Sequence, residues 1–437
     1  MTDTIAALAS GRPPAAIAVI RISGPAAMAV TRQLAGTLPP PRRLSLRALN
    51  DPASGALLDT ALVVVFPGPA TASGEDLAEL HLHGGPAVVS GVLAAITRQP
   101  SVRLAEPGEF TRRAFRNGRM DLAQVEGLAD LVSAETAVQR DQALALAGGA
   151  LTRLADTWRE RCLAILSEAE ASLDFAEDEA DVAARLDEAA REQLIAMAND
   201  LANILADATR AARIRDGLTI AVTGAPNVGK SSLVNALAMR DVAIVTAVAG
   251  TTRDALEVPL DLAGVAAVLI DTAGLRDTDD PVEAIGIARA RARAAAADLV
   301  LCVTTANDAA TVPSLPTGTQ SALVINKIDL GIQAALPGDA LAVSAETGEG
   351  LTALRAWLSN WARHAARPGE PALLSHARHR AAFADAEAAL REAANADEPV
   401  LRAESLRIAA HAFGRIAGRI GVDDVLDRIF SRFCIGK

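Results

Sequence analysis

The sequence contains little lysine and few aromatic residues. Only three of its 42 basic side chains are lysines (Lys230, Lys327 and Lys437), and no tyrosine occurs in the 437 residues. Arginine therefore carries nearly all the positive charge. A lysine that remains is expected where a compact ammonium on a slim stem is needed and a planar guanidinium would not fit.

Cysteine is also scarce, and this excludes two classes of protein. The three cysteines, Cys162, Cys302 and Cys434, are odd in number and far apart. They provide neither a disulfide framework nor a metal-binding spacing, which indicates a reducing interior. Cys302 lies in an apolar run and is expected to be a small core residue. For Cys434, a reactive thiol and a packing role both stay open.

Long apolar runs and an excess of positive charge are missing as well. No stretch of about 18 apolar residues occurs, and the N-terminus lacks a basic-then-apolar signal. The net charge of −11 argues against a protein that coats nucleic acid or membranes. We therefore expect a cytoplasmic protein without a membrane partner, in which any RNA contact is a local arginine patch.

The chain changes character twice along its length. Residues 1–118 mix apolar runs at 17–22 and 61–66 with Gly and Pro, whereas 121–212 carries Ala, Leu, Glu and Arg at helical spacing. Further on, apolar strands alternate with helical segments, which is typical of a parallel sheet with crossover helices. These predicted strands are 218–223, 266–271, 298–304, 321–326 and 341–344. After about residue 372 the helical pattern returns.

The simplest prediction is an α/β plus α protein in which a doubly wound, mostly parallel α/β domain is inserted into a helical domain. We predict an N-terminal α+β domain and a helical domain in two parts that flank the insertion. The predicted boundaries are 1–118 for the N-terminal domain, 119–214 and 366–437 for the helical parts, and 215–365 for the inserted domain.

A P-loop follows the predicted strand 218–223. Gly224 begins the motif and Gly229, Lys230 and Ser231 end it, directly before a helical run. Glycines let backbone N–H groups surround phosphates, and the helix N-terminus adds a favourable dipole. Lys230 should reach the β- and γ-phosphates, and the Ser231 hydroxyl should bind Mg²⁺. The predicted contacts in this loop are Asn227, Val228, Gly229, Lys230, Ser231 and Ser232.

Two further motifs match the switches of a nucleotide hydrolase. In Gly250-Thr251-Thr252, Thr252 is expected to complete the Mg²⁺ shell. Asp271-Thr272-Ala273-Gly274 ends a predicted strand, so Asp271 can hold Mg²⁺ through water and the Gly274 N–H can sense the γ-phosphate. The ligand is therefore a nucleoside triphosphate with magnesium.

The base is predicted from Asn326-Lys327-Ile328-Asp329. Asp329 can accept two hydrogen bonds from the N1–H and N2–H₂ groups of guanine, which adenine cannot supply. The Lys327 stem can lie over the base, and the backbone of Ser344-Ala345-Glu346 can meet O6. These features favour GTP over ATP.

The position after Asp271–Gly274 is Leu275, which cannot orient water as the glutamine of Ras-type enzymes does. In this respect the chain resembles potassium-activated GTPases, in which two GTPase domains face each other. That resemblance implies a K⁺ held by Asn227 and by carbonyls of the first switch, at Thr246, Val248 and Thr251. The implied nucleotide-contacting segment is Thr246, Ala247, Val248, Ala249, Gly250, Thr251 and Thr252. Arg253 and Arg276 make either phosphate or cross-dimer contacts, or they are surface arginines that stabilise the switches.

Motifs outside the GTPase region resemble the MnmE (TrmE) family of tRNA-modification GTPases over essentially the whole chain. They are Gly11-Arg12, Arg21–Gly24, Gly74–Asp76, Glu79-Leu80, His83–Gly85, Pro107–Phe115, Asp121–Gln124 and Ile429–Lys437. The Cys-Ile-Gly-Lys ending is the most specific of them.

The resemblance implies an N-terminal domain that dimerises and binds a tetrahydrofolate derivative, in the 5,10-methylene or 5-formyl form. It also implies a homodimer that joins a flavin-dependent partner, MnmG (GidA), in a heterotetramer or larger complex. Together they would install a 5-carboxymethylaminomethyl-type group on the wobble uridine, position 34, of certain tRNAs, using a folate one-carbon unit.

The same resemblance assigns individual residues. Arg21, Glu79 and Arg119 match family folate positions, and Glu283 matches a water-orienting glutamate. Lys437, the last residue, is predicted to reach the same folate site. Glu79 would pair with the donor edge of the pterin ring, while Arg21 and Arg119 would pair with acceptors and carboxylates. The implied catalytic set is Glu283, Lys230, Thr252 and Gly274.

Several residues keep two interpretations. Arg98, Arg103, Arg112, Arg113, Arg116 and Arg119 form either an anion or tRNA patch or a solvated face. The same alternatives hold for Arg402, Arg407, Arg415 and Arg419, and His83 is either a turn histidine or a ligand contact. For function, the alternatives are a ribosome-assembly or other RNA-binding GTPase switch, which would require an RNA-binding appendage, and a nucleotide-gated scaffold.

Overall fold

The computed structural model describes residues 3–175, 180–238, 257–271, 295–305, 319–331, 337–367, 372–418 and Gly436, with the backbone alone for 170–175 and 180–186. The chain divides into two compact units. The first comprises the described residues up to Ala129, Leu146–Ala164 and those from Ala410 onward. The second comprises Asp130–Ala145 and the described residues from Ile165 to Ala409.

The first unit is built on a mixed six-stranded sheet. Its strands are β1 (Thr4–Leu8), β2 (Ile17–Ser23), β3 (Ser45–Asn50), β4 (Leu57–Phe66), β5 (Leu77–His83) and β6 (Val102–Leu104). They lie in the order β3-β4-β5-β2-β1-β6, and the pair β1–β6 is parallel whereas the other pairs are antiparallel. The apolar runs predicted at 17–22 and 61–66 are β2 and the second half of β4.

Helices pack against this sheet. The helices in this part of the chain are α1 (Ala27–Ala35), α2 (Pro86–Thr97), α3 (Glu109–Arg116) and α4 (Leu122–Ser133). Leu80 and Leu82 of β5 are buried in one core with Leu34 of α1 and Val92 of α2. Side chains alternate along a strand, so Glu79 and His81, which flank Leu80, lie on the opposite face. That face carries Glu79, half-buried.

Long helices follow, as the 3.6-residue spacing predicts. They are α5 (Ala137–Ala147), α6 (Ala150–Phe175), α7 (Ala180–Ala206) and α8 (Ala208–Asp216). Within the first unit, the ring of Trp158 in α6 stacks on that of Phe413 at a centroid distance of 6.4 Å. No helix in the described part of the chain is long and apolar enough to cross a membrane.

The second unit contains a mostly parallel sheet. Its strands are β7 (Leu218–Thr223), β8 (Glu257–Leu262), β9 (Val265–Asp271), β10 (Leu299–Thr305), β11 (Gln320–Asn326) and β12 (Leu341–Ala342). The order is β12-β11-β10-β7-β9-β8, and only the β8–β9 hairpin is antiparallel. The helices from here on are α9 (Lys230–Ala238), α10 (Leu351–Ala366), α11 (Ala377–Asn395) and α12 (Pro399–Gly414).

The five strands predicted from residue 218 onward are all present, and one more is added. The additional strand is β8, where Pro259 interrupts a short run and masks the pattern; proline is tolerated because β8 is an edge strand. The last predicted strand, 341–344, is shorter than expected and ends at Ala342. Parallel strands bring their carboxyl ends to one edge of the sheet, which is where ligands bind in such folds. Thr223, Asp271 and Asn326 end three of these strands.

Candidate functional site

The P-loop passes close to the neighbouring strand β10. Gly224 has φ +148°, and a Cβ atom there would lie 2.1 Å from the Val303 carbonyl oxygen. Only glycine fits at this position. The loop therefore leaves β7 tightly against the sheet and aims its backbone at the start of α9, as a phosphate-binding loop requires.

Lys230 lies in the loop with little exposure. Its side chain is folded over the loop, and Nζ donates hydrogen bonds to the carbonyl oxygens of Gly224 at 3.0 Å and Ala225 at 2.8 Å. The residue is 7% exposed. Both acceptors are neutral, so the ammonium can transfer to a phosphate oxygen without breaking an ion pair.

Ser231 and Asp271 meet at the carboxyl edge of the sheet. The Ser231 hydroxyl donates to Asp271 Oδ2 at 2.5 Å, and Asp271 is 8% exposed at the end of β9. A hydroxyl and a carboxylate are the oxygen ligands that Mg²⁺ prefers, either directly or through water. The two predicted magnesium residues are therefore adjacent, and they fit the ion.

Asn326 has a role that the sequence did not indicate. It is 1% exposed, and its Nδ2 donates to the Val228 carbonyl oxygen at 3.0 Å while its Oδ1 accepts the Ala345 N–H at 3.0 Å. A Cβ atom on Gly229 would lie 2.4 Å from this Nδ2. Asn326 thus joins the P-loop to the loop after β12. This is a bracing role, distinct from a direct contact with the base.

The other base-recognition residues are arranged around this brace. Lys327 Nζ donates to the Asn227 carbonyl oxygen at 2.8 Å, so its stem crosses the P-loop. Asp329 is exposed in the short 3₁₀ turn Ile328–Leu330 and is accessible to a ligand. The Ser344 N–H donates to the Glu349 carbonyl oxygen, and the Ala345 N–H to Asn326. A guanine O6 would have to share or exchange one of these bonds, so that contact stays a prediction.

Many predicted site residues lie outside the described residues. They are Thr246, Ala247, Val248, Ala249, Gly250, Thr251, Thr252, Thr272, Ala273, Gly274, Glu283 and Lys437, together with Leu275, Arg253, Arg276, Arg419 and Cys434. Their predicted roles are unchanged. Of the other members of the set, Asn227 and Glu346 are exposed, and Val228 is buried in the core of the second unit.

A second polar site lies on the first sheet. Arg21 of β2 and Glu79 of β5 are register partners, and Arg21 donates from Nε at 3.1 Å and Nη2 at 2.9 Å to Glu79 Oε1. The guanidinium lies 5.7 Å from the centroid of the Phe110 ring. His81 Nε2 is 3.5 Å from Glu79 Oε2. Glu79 was predicted as an acceptor for a ligand, and it is held in place by its own neighbours.

Arg119 lies in a different setting. It is exposed, and its Nε donates to the Thr71 carbonyl oxygen at 3.1 Å. Gly74 is close by, since a Cβ atom there would lie 3.3 Å from Cγ of Arg119 and 2.7 Å from Cβ of Asn117. The segment around Thr71 therefore positions Arg119, while strand pairing positions Arg21 and Glu79.

The predicted arginine patch is partly an internal network. Arg113 is 0% exposed and donates to carboxylate oxygens of Asp3, Glu75 and Glu109. Arg103 also pairs with Glu109, at 2.6 Å. For Arg113, both interpretations from sequence were wrong: a buried guanidinium is neither a ligand patch nor a solvated face. Arg116 and Arg119 are exposed.

The network lowers the pKa of its buried carboxylate. Burial raises the pKa of Glu109, but hydrogen bonds from Arg103, the Glu106 N–H and Arg113 outweigh burial and lower it to about 2. For Asp3, burial likewise raises the pKa, and Arg103 and Arg113 lower it below its ordinary value. Both groups are ionised at neutral pH.

Two family models match consecutive parts of the chain. A family model described as the MnmE helical domain matches residues 122–434. A second, described as the GTP-binding protein TrmE N-terminus, matches residues 4–119. The G-domain of FeoB from Methanococcus jannaschii covers 33% of this chain and 98% of that domain at 26% identity, with a TM-score of 0.25, too low to support an argument about fold.

Full-length relatives match throughout. The tRNA modification GTPase MnmE of Methylobacterium radiotolerans is 52% identical and covers 100% of this chain and 99% of its own length. That of Rhodospirillum rubrum is 50% identical, with coverages of 100% and 99%. The chain therefore belongs to the MnmE family of tRNA modification GTPases.

Proposed function

We propose that the chain hydrolyses GTP at the carboxyl edge of the second sheet and uses the cycle in tRNA modification. The observation that carries this proposal is the 2.5 Å contact between Ser231 Oγ and Asp271 Oδ2, next to Lys230. These are the metal and phosphate groups of a P-loop enzyme, brought together from the start of α9 and the end of β9. Family membership supports the same activity.

Individual residues have defined tasks in this proposal. Ser231 and Asp271 hold Mg²⁺, which when bound neutralises charge on the β- and γ-phosphates. Lys230 leaves its carbonyl partners for phosphate oxygens. Asp329 accepts hydrogen bonds from guanine, while Asn326 keeps the P-loop and the loop after β12 in register. Glu283, Thr252 and Gly274 are proposed to orient the water and sense the γ-phosphate.

A potassium ion is proposed to replace the missing arginine or glutamine. Asn227 fits this role because it is exposed on the P-loop with φ +65°, in the left-handed region, while its carbonyl is held by Lys327. Carbonyls of Thr246, Val248 and Thr251 would complete the site.

The domain boundaries are also proposals. They are an N-terminal domain at 1–118 and a GTPase domain at 215–365 inserted between helical parts at 119–214 and 366–437.

The first sheet is proposed to bind a tetrahydrofolate derivative. The Arg21–Glu79 pair fits because both side chains are partly exposed, at 27% and 19%, and offer a cation, an anion and the nearby Phe110 ring. Oε1 of Glu79 faces Arg21, and Oε2 has capacity for a pterin N–H donor. Arg119 and Lys437 are proposed partners for the ligand's carboxylates. The folate supplies the one-carbon unit when bound.

The partner proteins and the RNA substrate are proposed from family membership alone. We propose a homodimer through the N-terminal domain that works with a flavin-dependent protein, MnmG (GidA), on the wobble uridine of tRNA. The product class is a 5-carboxymethylaminomethyl-type uridine. A cytoplasmic location stays a prediction.

One kinetic experiment tests the GTPase proposal. GTP turnover is measured in K⁺ and in Na⁺ at equal ionic strength, with the wild type and Asn227→Ala. We expect strong stimulation by K⁺ in the wild type and little in the variant. Equal rates in both salts would contradict the proposed potassium site.

A second experiment tests the substrate. Nucleosides of tRNA from a deletion strain are compared with those of the parent strain by mass spectrometry. The modified wobble uridine should disappear in the deletion strain. An unchanged nucleoside profile would contradict the proposed role in tRNA modification.

A further inference from the structure

A row of titratable side chains runs along β5 beyond Glu79. Glu79, His81 and His83 alternate with the buried Leu80 and Leu82, so they share the face of the first sheet that turns away from its core. Glu79 is explained by its pairing with Arg21. His83, at the end of the strand, is not explained by the proposed ligand contacts.

His83 is held by a buried carboxylate. Its Nδ1 lies 2.8 Å from Asp59 Oδ1, and its backbone N–H donates to Asp59 Oδ2 at 2.9 Å. The Asp59 side chain is 8% exposed, whereas the His83 side chain is 75% exposed. Burial alone would raise the pKa of Asp59, but the hydrogen bonds from His83 and Thr60 lower it below its ordinary value.

This arrangement fixes the tautomer of the imidazole. An ionised Asp59 accepts hydrogen bonds only, so Nδ1 carries the proton and Nε2 presents its lone pair. Most of the ring is exposed, so Nε2 is open to a reactant. A histidine oriented through one nitrogen by a carboxylate is the usual arrangement of a general base.

The backbone at this point is rigid. A Cβ atom on Gly84 would lie 2.2 Å from the Ala15 carbonyl oxygen, so only glycine fits. The Ala15 N–H donates to the Gly84 carbonyl oxygen at 3.1 Å, and His83 is the register partner of Ile17. An exposed histidine on an ordinary turn would not need such constraints.

We propose that His83, oriented by Asp59, is a proton-transfer site for the chemistry on this face of the first sheet. The Nε2 lone pair accepts one proton from an N–H or O–H of a bound reactant, and the electron pair of that bond stays on the reactant. The imidazolium is stabilised by Asp59 and returns its proton to solvent. This inference rests on the proposed folate site at Arg21 and Glu79.

The distance along the strand decides which reactant His83 serves. Residues 79 and 83 are four positions apart, about 13 Å in a strand. His83 therefore lies too far away to touch a ring held at Glu79, but it is placed for a second reactant that approaches along β5. The charged or titratable group that contacts His83 is Asp59 from β4, His81 precedes it by two positions on its own strand, and the apolar Ile17 of β2 is its register partner.

The test uses the full-length protein with its flavin partner, tRNA, 5,10-methylenetetrahydrofolate and GTP. His83→Gln is compared with Asp59→Asn and with His364→Gln, a control that removes an exposed histidine from the second unit. We expect His83→Gln to slow modification about 10²- to 10⁴-fold. Calorimetric affinity for 5-formyltetrahydrofolate and GTP turnover should stay within about 3-fold of the wild type, as should all three readouts in His364→Gln.

The second readout is independent of activity. The ¹⁵N chemical shifts of the ring should identify His83 as the Nδ1–H tautomer in the wild type. In Asp59→Asn the amide can donate to Nδ1, which moves the proton to Nε2 and should slow modification although His83 is present.

Several results would overturn the inference. They are an unchanged modification rate in His83→Gln, a loss of folate affinity as large as the loss of rate, or an Nε2–H tautomer in the wild type. Failure of the folate proposal is distinguishable, because the wild type would then bind no 5-formyltetrahydrofolate. A wild type that modifies no tRNA in the complete system would overturn both.

Discussion

The two polar sites of this chain hold their cations in different ways. At the nucleotide site, the lysines donate to neutral backbone carbonyls: Lys230 to Gly224 and Ala225, and Lys327 to Asn227. On the first unit, arginines donate to carboxylates, as Arg21 does to Glu79 and Arg113 to Glu75. A lysine bonded to neutral carbonyls can exchange them for a phosphate oxygen. An arginine paired with a carboxylate keeps its partner and holds it in position.

This difference fits the retention of Lys230 and Lys327 in a chain whose other cations are nearly all arginine. Arginine's planar fork suits carboxylates, and the first unit uses it in this way at Arg21, Arg103 and Arg113. A lysine is kept where the cation must change partners within a narrow loop. The comparison therefore predicts that substitutions at the two sites fail differently: at the nucleotide site function is lost, and in the arginine network stability is lost.

The largest effect is expected at Lys230. Lys230→Ala should lower GTP turnover by about 10³-fold, since it removes a cation from the transferred phosphate in a desolvated loop. Lys230→Arg should lose nearly as much, because a guanidinium does not fit a position that is 7% exposed. Steady-state GTP hydrolysis measures both. An arginine variant close to the wild-type rate would contradict the explanation of why lysine is kept.

The next effect concerns the network around Arg113. Arg113→Leu should destabilise the first unit by about 3–5 kcal/mol, because it leaves buried carboxylates without their cation. The matched control is Arg116→Ala, an exposed arginine on the same helix, which should change stability by less than about 0.5 kcal/mol. Urea unfolding measures the difference. Similar stabilities for the two variants would show that the network does not stabilise the fold.

The same network predicts sensitivity to acid. The pKa of Glu109 falls from its ordinary 4.5 to about 2 in the folded chain, so its contribution is complete above about pH 4.5 and is lost as pH falls towards 2. The expected loss is about 3 kcal/mol. Glu109→Gln should be less stable at neutral pH and should lack this part of the pH dependence. Parallel stability curves for variant and wild type between pH 5 and 2 would contradict the assignment.

A smaller effect is expected at Asn326. Asn326→Ala removes hydrogen bonds that join the P-loop to Ala345 and should weaken GTP binding by about 1–3 kcal/mol. Calorimetry with a non-hydrolysable GTP analogue measures this change. Asn360→Ala, an exposed asparagine on α10, is the control. An unchanged affinity in Asn326→Ala would show that the brace does not position the loop.

The sequence predicted the nucleotide site better than the N-terminal site, for a physical reason. The nucleotide motifs are contiguous, and each follows a parallel strand, so strand prediction puts Ser231 and Asp271 at the same edge of the sheet. Strands β7, β10 and β11 were visible because they are apolar and buried on both faces, and β9 and β12 because they are short apolar runs. What the motifs did not show is that Asn326 braces the loop, since hydrogen bonds between distant segments leave no local pattern.

The N-terminal site depends on strand register and burial. Arg21 and Glu79 are 58 positions apart, and only the antiparallel pairing of β2 with β5 brings them into contact. In the same way, Arg113 is buried because Asp3 and Glu75 close around it. A run of arginines in a sequence does not distinguish a buried network from a solvated face. The Asp59–His83 contact was hidden for the same reason.

The central claim is that two separate sites bind two different ligands, and reciprocal calorimetry tests it most directly. Wild type, Lys230→Ala and Arg21→Ala are titrated with a non-hydrolysable GTP analogue and with 5-formyltetrahydrofolate. The account predicts that Lys230→Ala loses the nucleotide and keeps the folate, while Arg21→Ala loses the folate and keeps the nucleotide. A folate affinity unaffected by Arg21→Ala, or a wild type that binds only one of the two ligands, would contradict it.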